Sequence, residues 1–221
     1  MKFSLGNRSY DAVLNRNPSG LREIKDKKVA IVGSSGILLD KEHGELIDSH
    51  DLIVRFNVAR TTGYEVHVGS RTDVRIMNGH TFNGSTSQEV FPGNDNNSFI
   101  QNITGETLIV KSCHNDQFID GILKTTPQNK VYFINPVLTA HYNSLTGDPN
   151  KQEATCGLVA VLFFLLLTDK ISCFGFNFYK DAWSRKHYWA EMKEYKQGHC
   201  FNVEEKIFND LQESKKIKIY R

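Results

Sequence analysis

The sequence predicts an α/β protein with one mostly parallel β-sheet of seven strands flanked by helices, in a single domain over residues 1–221. Three observations carry that prediction. Strand-like and helix-like segments alternate along most of the chain, the order that crossover connections produce. The first strand-like segment, Val29–Gly33 (VAIVG), is apolar throughout, as expected for a strand covered on both faces. No internal repeat divides the chain, and 221 residues suit one core.

Each element follows from short apolar runs bounded by polar or turn residues. After Val29–Gly33 comes a helix over Lys41–Ser49, then strands Asp51–Asn57 (DLIVRFN), Thr72–Asn78 (TDVRIMN) and Thr107–Ser112 (TLIVKS). A helix over Asp116–Lys124 leads to strand Lys130–Asn135 (KVYFIN). Cys156–Thr168 is the most apolar stretch of the chain and reads as a buried helix, followed by strand Lys170–Phe176 (KISCFGF). A helix over Val203–Ser214 precedes the last strand, Lys216–Tyr220. Its alternation Lys216-Ile217-Lys218-Ile219 needs only one buried face and places it near a sheet edge. Two regions break the pattern. Gly79–Gly105 is polar and Asn-rich, and Asn177–Gly198 is rich in aromatics, either a wall beside a site or a loop packed on the core.

Composition removes several classes of function. With Lys+Arg 27 against Asp+Glu 25, the net charge is +2, too even for a protein that grips nucleic acid or an anionic membrane electrostatically. The apolar run CGLVAVLFFLLL is well short of the roughly 20 residues a bilayer core requires, and the N-terminus lacks a signal-like run, so no integral membrane anchor is expected. Four cysteines (Cys113, Cys156, Cys173, Cys200) form no C-x-x-C pair, which argues against a disulfide scaffold or a structural zinc site. No D-x-D occurs, so a site holding a nucleotide diphosphate through a metal is not supported, and no metal ligands are assigned.

Residues able to carry chemistry gather at the carboxyl ends of the predicted strands, where open α/β sheets bind ligands. Gly33-Ser34-Ser35-Gly36 offers backbone N–H groups and two hydroxyls to a phosphate, though it is neither G-x-G-x-x-G nor a P-loop. Asn57 ends the second strand, and either pairs with a ribose or base edge or simply caps a turn. Thr155-Cys156-Gly157 opens the apolar helix, whose first N–H groups attract an anion unless Thr155 serves only as N-cap. Gly175 lies at the end of the sixth strand. Of eight histidines, His187 (in KHYW, beside Tyr188) and His199 flank the aromatic region, and Glu204 stands within reach of His199 to hold its tautomer for general base catalysis.

Taken in order, these pieces resemble the sialylmotifs of the eukaryotic-type sialyltransferases, glycosyltransferase family 29. Val29–Asn78 resembles the large motif, with G-x-x-G, E-x-I-D-S-H-D, R-x-N, V-G-x-R-T-D and M-N in register. Ala154–Phe176 is similar to the small motif, His187-Tyr188-Trp189 to motif III, and His199-x4-Glu204 to the very small motif. The resemblance implies a variant glycosyltransferase-A, Rossmann-like fold and a metal-independent, inverting transfer of sialic acid from CMP-sialic acid to a glycan hydroxyl. CMP-sialic acid would be a donor substrate, with no cofactor. His199 would be the base and His187 would assist the leaving phosphate. Gly33, Ser34, Ser35, Asn57, Thr155, Cys156, Gly157, Gly175, Tyr188 and Glu204 would bind substrate. A CMP-Kdo donor, or a non-catalytic CMP- or glycan-binding relative, are the alternatives.

The chain departs from the family pattern at four places. Ser34 stands where the family has Asn, Ala154-Thr155-Cys156-Gly157 replaces Pro-Ser-Ser/Thr-Gly, and no anchor or stem precedes the first motif. Val29 and Thr168 occupy the two positions of the family's bridging cysteines. Losing both together implies a reducing compartment such as the cytoplasm, or a chain trimmed from a Golgi protein.

Overall fold

The computed structural model describes residues 2–5, 8–11, 13, 23–78, 103–111, 116–147, 153–178, 183–184, 187–190, 193–194 and 199–221. Most of the polar region 79–105 and much of the aromatic region 177–198 lie outside the described residues. An antiparallel hairpin, β1 (Lys2–Leu5) and β2 (Arg8–Asp11), precedes the sheet. Strand β3 (Val29–Val32) leads through a 3-10 turn at Gly36–Asp40 into α1 (Gly44–Asp48) and β4 (Leu52–Phe56). The short helix α2 (Glu65–Val68), β5 (Val74–Met77), β6 (Thr107–Val110), α3 (Asp116–Thr125) and β7 (Lys130–Phe133) continue the chain. Then follow α4 (Pro136–Leu145), α5 (Cys156–Phe164) and β8 (Ile171–Phe174). A two-residue ribbon, β9 (Trp183–Ser184) and β10 (Lys193–Glu194), precedes α6 (Phe201–Glu213) and β11 (Ile217–Tyr220).

All seven strands expected of the sheet form it, in the order β11-β8-β3-β4-β5-β6-β7, and every pairing is parallel. The edge position expected for the last strand is where β11 lies. Helix boundaries moved more. The expected helix at Lys41–Ser49 contracts to α1, and that at Cys156–Thr168 ends at Phe164. Helix α4 is one the sequence analysis did not assign, although Asn135 accepts from the Val137 N–H at 2.9 Å and Pro136 opens the first turn, a standard helix start.

Alternation along β3 splits the core in two. Val29 and Ile31 pack with α5 on one face, while Ala30 and Val32 meet Leu38, Ile47, Val68 and Tyr188 on the other. Helix α5 is apolar all round and buries Leu158, Val159, Val161, Phe163 and Phe164, which is why its sequence shows no polar face. Burial of each such phenylalanine stabilises the fold by about 2 kcal/mol. Among the described residues no helix is long and apolar enough to cross a membrane.

The chain builds outward from β3 to β7 on one side, then returns to place β8 and β11 on the other. A reversal of this kind is where open α/β sheets form their ligand crevice, here at the carboxyl ends of β3 and β8. The short connection 165–170 feeds α5 into β8, and 214–216 feeds α6 into β11. Both helices therefore run against the strands and bring their N-termini to the same edge.

Candidate active site

At the crevice floor, the turn after β3 crosses the turn after β8 almost in contact. The Gly33 N–H donates to the Phe174 carbonyl at 2.7 Å, and a Cβ on Gly33 would stand 2.5 Å from the Gly175 carbonyl oxygen. Gly175 itself has φ +72° and lies against Leu38, so it also excludes a side chain. Ser34 contributes its carbonyl to the Tyr188 N–H at 2.8 Å, which pins the His187–Trp189 segment over this turn. Ser35 is buried and N-caps the 3-10 turn.

Asn57 ends β4 in a left-handed conformation, φ +45°. Its Oδ1 accepts from the Asn78 N–H at 3.0 Å, tying the ends of β4 and β5 together, the turn-capping geometry anticipated for it. The buried Arg75 guanidinium holds the Asn57 and Ala59 carbonyls at 2.9 and 3.0 Å and is fixed by Glu106 at 2.6 and 2.8 Å. Other residues of the large motif serve the frame. Arg55, fully buried, donates to the carbonyls of Val68 and Arg71, and Asp48 accepts from the N–H and Oγ of Ser70. Burial brings the Arg55 pKa down to about 10, which leaves it cationic at neutral pH.

The second wall is the N-terminus of α5. Thr155 Oγ1 accepts from the Leu158 N–H at 3.1 Å, and the Thr155 carbonyl accepts from Val159. The Cys156 and Gly157 N–H groups remain the first-turn donors outside the helix ladder. Gly157 lets Phe176 approach, since a Cβ would stand 2.6 Å from its ring. Burial pushes the Cys156 thiol up, so it is a neutral packing group rather than a nucleophile.

Glu204 does not hold the His199 imidazole, as the sequence analysis expected. Its two carboxylate oxygens accept from the Thr155 N–H at 2.7 Å and the Thr155 hydroxyl at 2.6 Å, and the side chain is buried. The reason is packing: α6 lays its first buried turn against the start of α5, where Thr155 presents two donors. Burial raises the Glu204 pKa against the lowering effect of those hydrogen bonds and of Lys111. The tautomer of His199 is set instead by a main-chain group, because its Nδ1 lies 2.7 Å from the Glu153 carbonyl. A carbonyl only accepts, so Nδ1 carries the proton and Nε2 is the basic nitrogen of the neutral ring.

His187 stacks on Trp189 with ring centroids 4.6 Å apart and planes 3° from parallel. Tyr188, between them, is enclosed in the second core cluster, with its hydroxyl donating to the Arg60 carbonyl. Burial pushes that hydroxyl up to about 12, so in this structure Tyr188 is a strut behind the site. Sequence reasoning missed Lys111 and Asn143, which hold Ala154 from two separate parts of the fold, and Glu153, whose carbonyl meets His199. Only the placement of Lys111 at the carboxyl end of a strand hinted at it.

The site is thus a glycine-floored crevice at a sheet reversal, bordered by a helix N-terminus and two histidines. The family model described as "Glycosyltransferase family 29 (sialyltransferase)" matches residues 7–216. A mouse protein named CMP-N-acetylneuraminate-beta-galactosamide-alpha-2,3-sialyltransferase 2 is 26% identical over 225 residues, covering 96% of this chain and 62% of its own. An Arabidopsis thaliana beta-1,6-galactosyltransferase is 26% identical over 211 residues, covering 84% of this chain and 50% of its own. The crystal structure of a mammalian sialyltransferase superposes with a TM-score of 0.65 at 21% identity, over 94% of this chain and 81% of that one, and shares its fold. The chain spans about half to three-fifths of the length of these curated relatives. With the match extending over nearly all of its sequence, the chain belongs to glycosyltransferase family 29, the sialyltransferase family.

Proposed function

We propose that the chain is an inverting, metal-independent glycosyltransferase that moves sialic acid from CMP-sialic acid to a hydroxyl of a glycan acceptor. The observation that carries this reading is the contact of His199 Nδ1 with the Glu153 carbonyl: with Nδ1–H donating there, Nε2 is the nitrogen able to deprotonate an acceptor hydroxyl. The deprotonated oxygen displaces CMP from the opposite face of the sugar. The departing phosphate gains negative charge, which the Cys156 and Gly157 N–H groups and a proton donated by the stacked His187 ring would stabilise. Such a leaving group carries a single phosphate, so helix end and donated proton supply what a divalent ion does elsewhere. Gly33, Ser34, Asn57 and Gly175 would receive the nucleotide at the crevice floor. A reducing compartment fits the three free thiols among the described residues, Cys156, Cys173 and Cys200.

The test is incubation with labelled CMP-sialic acid and a panel of galactosides, with and without a chelator. The expected result is a sialylated product and free CMP, unchanged by the chelator. CMP binding without transfer or donor hydrolysis would favour a non-catalytic relative. A second reading, transfer of a different sugar, is favoured by the galactosyltransferase name of the Arabidopsis relative. Running CMP-Kdo and UDP-galactose beside CMP-sialic acid decides between the donors.

A further inference from the structure

We propose that Lys111 is a positioning residue for the base, acting through the strap Glu153-Ala154-Thr155; the inference rests on the reading of His199 as base. Every main-chain polar group along this strap from the Glu153 carbonyl onward has a partner from elsewhere in the fold or within α5. The Glu153 carbonyl accepts from His199, the Ala154 N–H donates to Asn143 Oδ1 at 2.9 Å, and the Ala154 carbonyl accepts from Lys111 Nζ at 2.5 Å. The Thr155 N–H donates to Glu204, and the Thr155 carbonyl begins the α5 ladder. Such complete pairing fixes the strap in one conformation.

Lys111 is the only cation in this set. Its side chain is 4% exposed, and its ammonium also meets Glu153 Oε2 at 3.0 Å. It therefore grips the strap on both sides of the peptide carbonyl that orients His199, through the side chain of residue 153 and the carbonyl of residue 154. It also offsets the charge of the buried Glu204 carboxylate. Buried to this degree, Lys111 is placed to act through the strap rather than on substrate. Remove the ammonium, and the Ala154 carbonyl loses its donor while Glu204 loses its compensating charge. The strap then shifts, the Glu153 carbonyl no longer selects Nδ1–H, and the Nε2–H tautomer, which is no base toward the acceptor, gains population.

The experiment is nitrogen-15 NMR of the histidine side chains in the full chain, with His199 assigned by His199→Gln, alongside steady-state kinetics. Wild type is expected to hold neutral His199 as the Nδ1–H tautomer. Lys111→Met is expected to mix in the Nε2–H form and to lower kcat at least tenfold with the donor KM within threefold. Glu153→Gln, which weakens the grip on residue 153 but keeps the Lys111 bond to the Ala154 carbonyl, should mix in less of the Nε2–H form than Lys111→Met. Lys111→Gln removes the charge with less loss of polarity and covers the case in which Lys111→Met fails to fold. A folded Lys111 variant that keeps both the tautomer and kcat overturns the proposal. If wild type transfers no sugar, the functional reading falls, while the tautomer still decides the role of Lys111.

Discussion

The two walls of the crevice are built by opposite means. Where β3 and β8 end, the floor is made by leaving side chains out: Gly33 and Gly175 bring two main chains so close that a single methyl group does not fit. Where α5 begins, the wall is made by adding partners, with Asn143, Lys111, Glu204 and His199 each taking one main-chain polar group of residues 153–155. The first wall depends on shape and resists any change of size. The second depends on charge and hydrogen bonding, so its failures are graded and sensitive to pH. The difference teaches that the side proposed to receive the nucleotide is set by close approach, and the side proposed for acid–base chemistry by a network.

Substitutions can break each wall separately. Gly33→Ala pushes a Cβ into a backbone carbonyl that cannot swing aside, and should cost about 3 kcal/mol of stability in urea unfolding. A cost below about 1 kcal/mol would show that the crossing is looser than described. Glu204→Ala leaves the part-buried Thr155 N–H and hydroxyl without their carboxylate partner, and should cost about 2 kcal/mol in the same measurement. Glu204→Gln sharpens the point through pH. Because the folded-state pKa of Glu204 is raised, the stability it contributes is full below its ordinary value of 4.5 and is lost as pH rises through the folded value. Wild type should therefore lose stability relative to Glu204→Gln across that window, and a flat difference would remove burial as the dominant influence. Thr168→Val, remote from both walls, should cost only about 1 kcal/mol, read as a fall in the urea midpoint.

Thr168 also shows what the sequence could and could not tell. The resemblance to the family implies that Thr168 and Val29 stand at its bridging-cysteine positions, and the segments that carry them are adjacent in the fold. The Thr168 hydroxyl donates to the Lys27 carbonyl at 2.9 Å, and the Val29 N–H donates to the Lys170 carbonyl at 2.8 Å. Hydrogen bonds join the segments that a disulfide would otherwise link. The sheet was readable because runs such as VAIV and LIVRF state their burial locally, and parallel order follows from alternation. Gly33 and Gly175 were readable as glycines at the carboxyl edge of the sheet, but their close crossing was not, because it depends on β3 and β8 being neighbours. Helix α4 was overlooked despite its Asn135-Pro136 start, since its faces carry little apolar contrast. Glu204 was tied to His199 because the two are near in sequence, whereas its partner Thr155 lies 49 residues away. Lys111 and Glu153 are separated by 42 residues. Pairings of that range are fixed by how α5 and α6 settle at the sheet edge, and no local pattern announces them.

A paired measurement on His199→Ala bears on the whole reading of the crevice: CMP affinity by calorimetry, and sugar transfer from the labelled donor. The ring reaches the site through the strap and takes no part in the glycine floor. CMP should therefore bind within threefold of wild type while transfer falls by about 10²-fold or more, the contribution of a general base. Transfer that persists at the wild-type rate in this variant would contradict the assignment of His199 as the base.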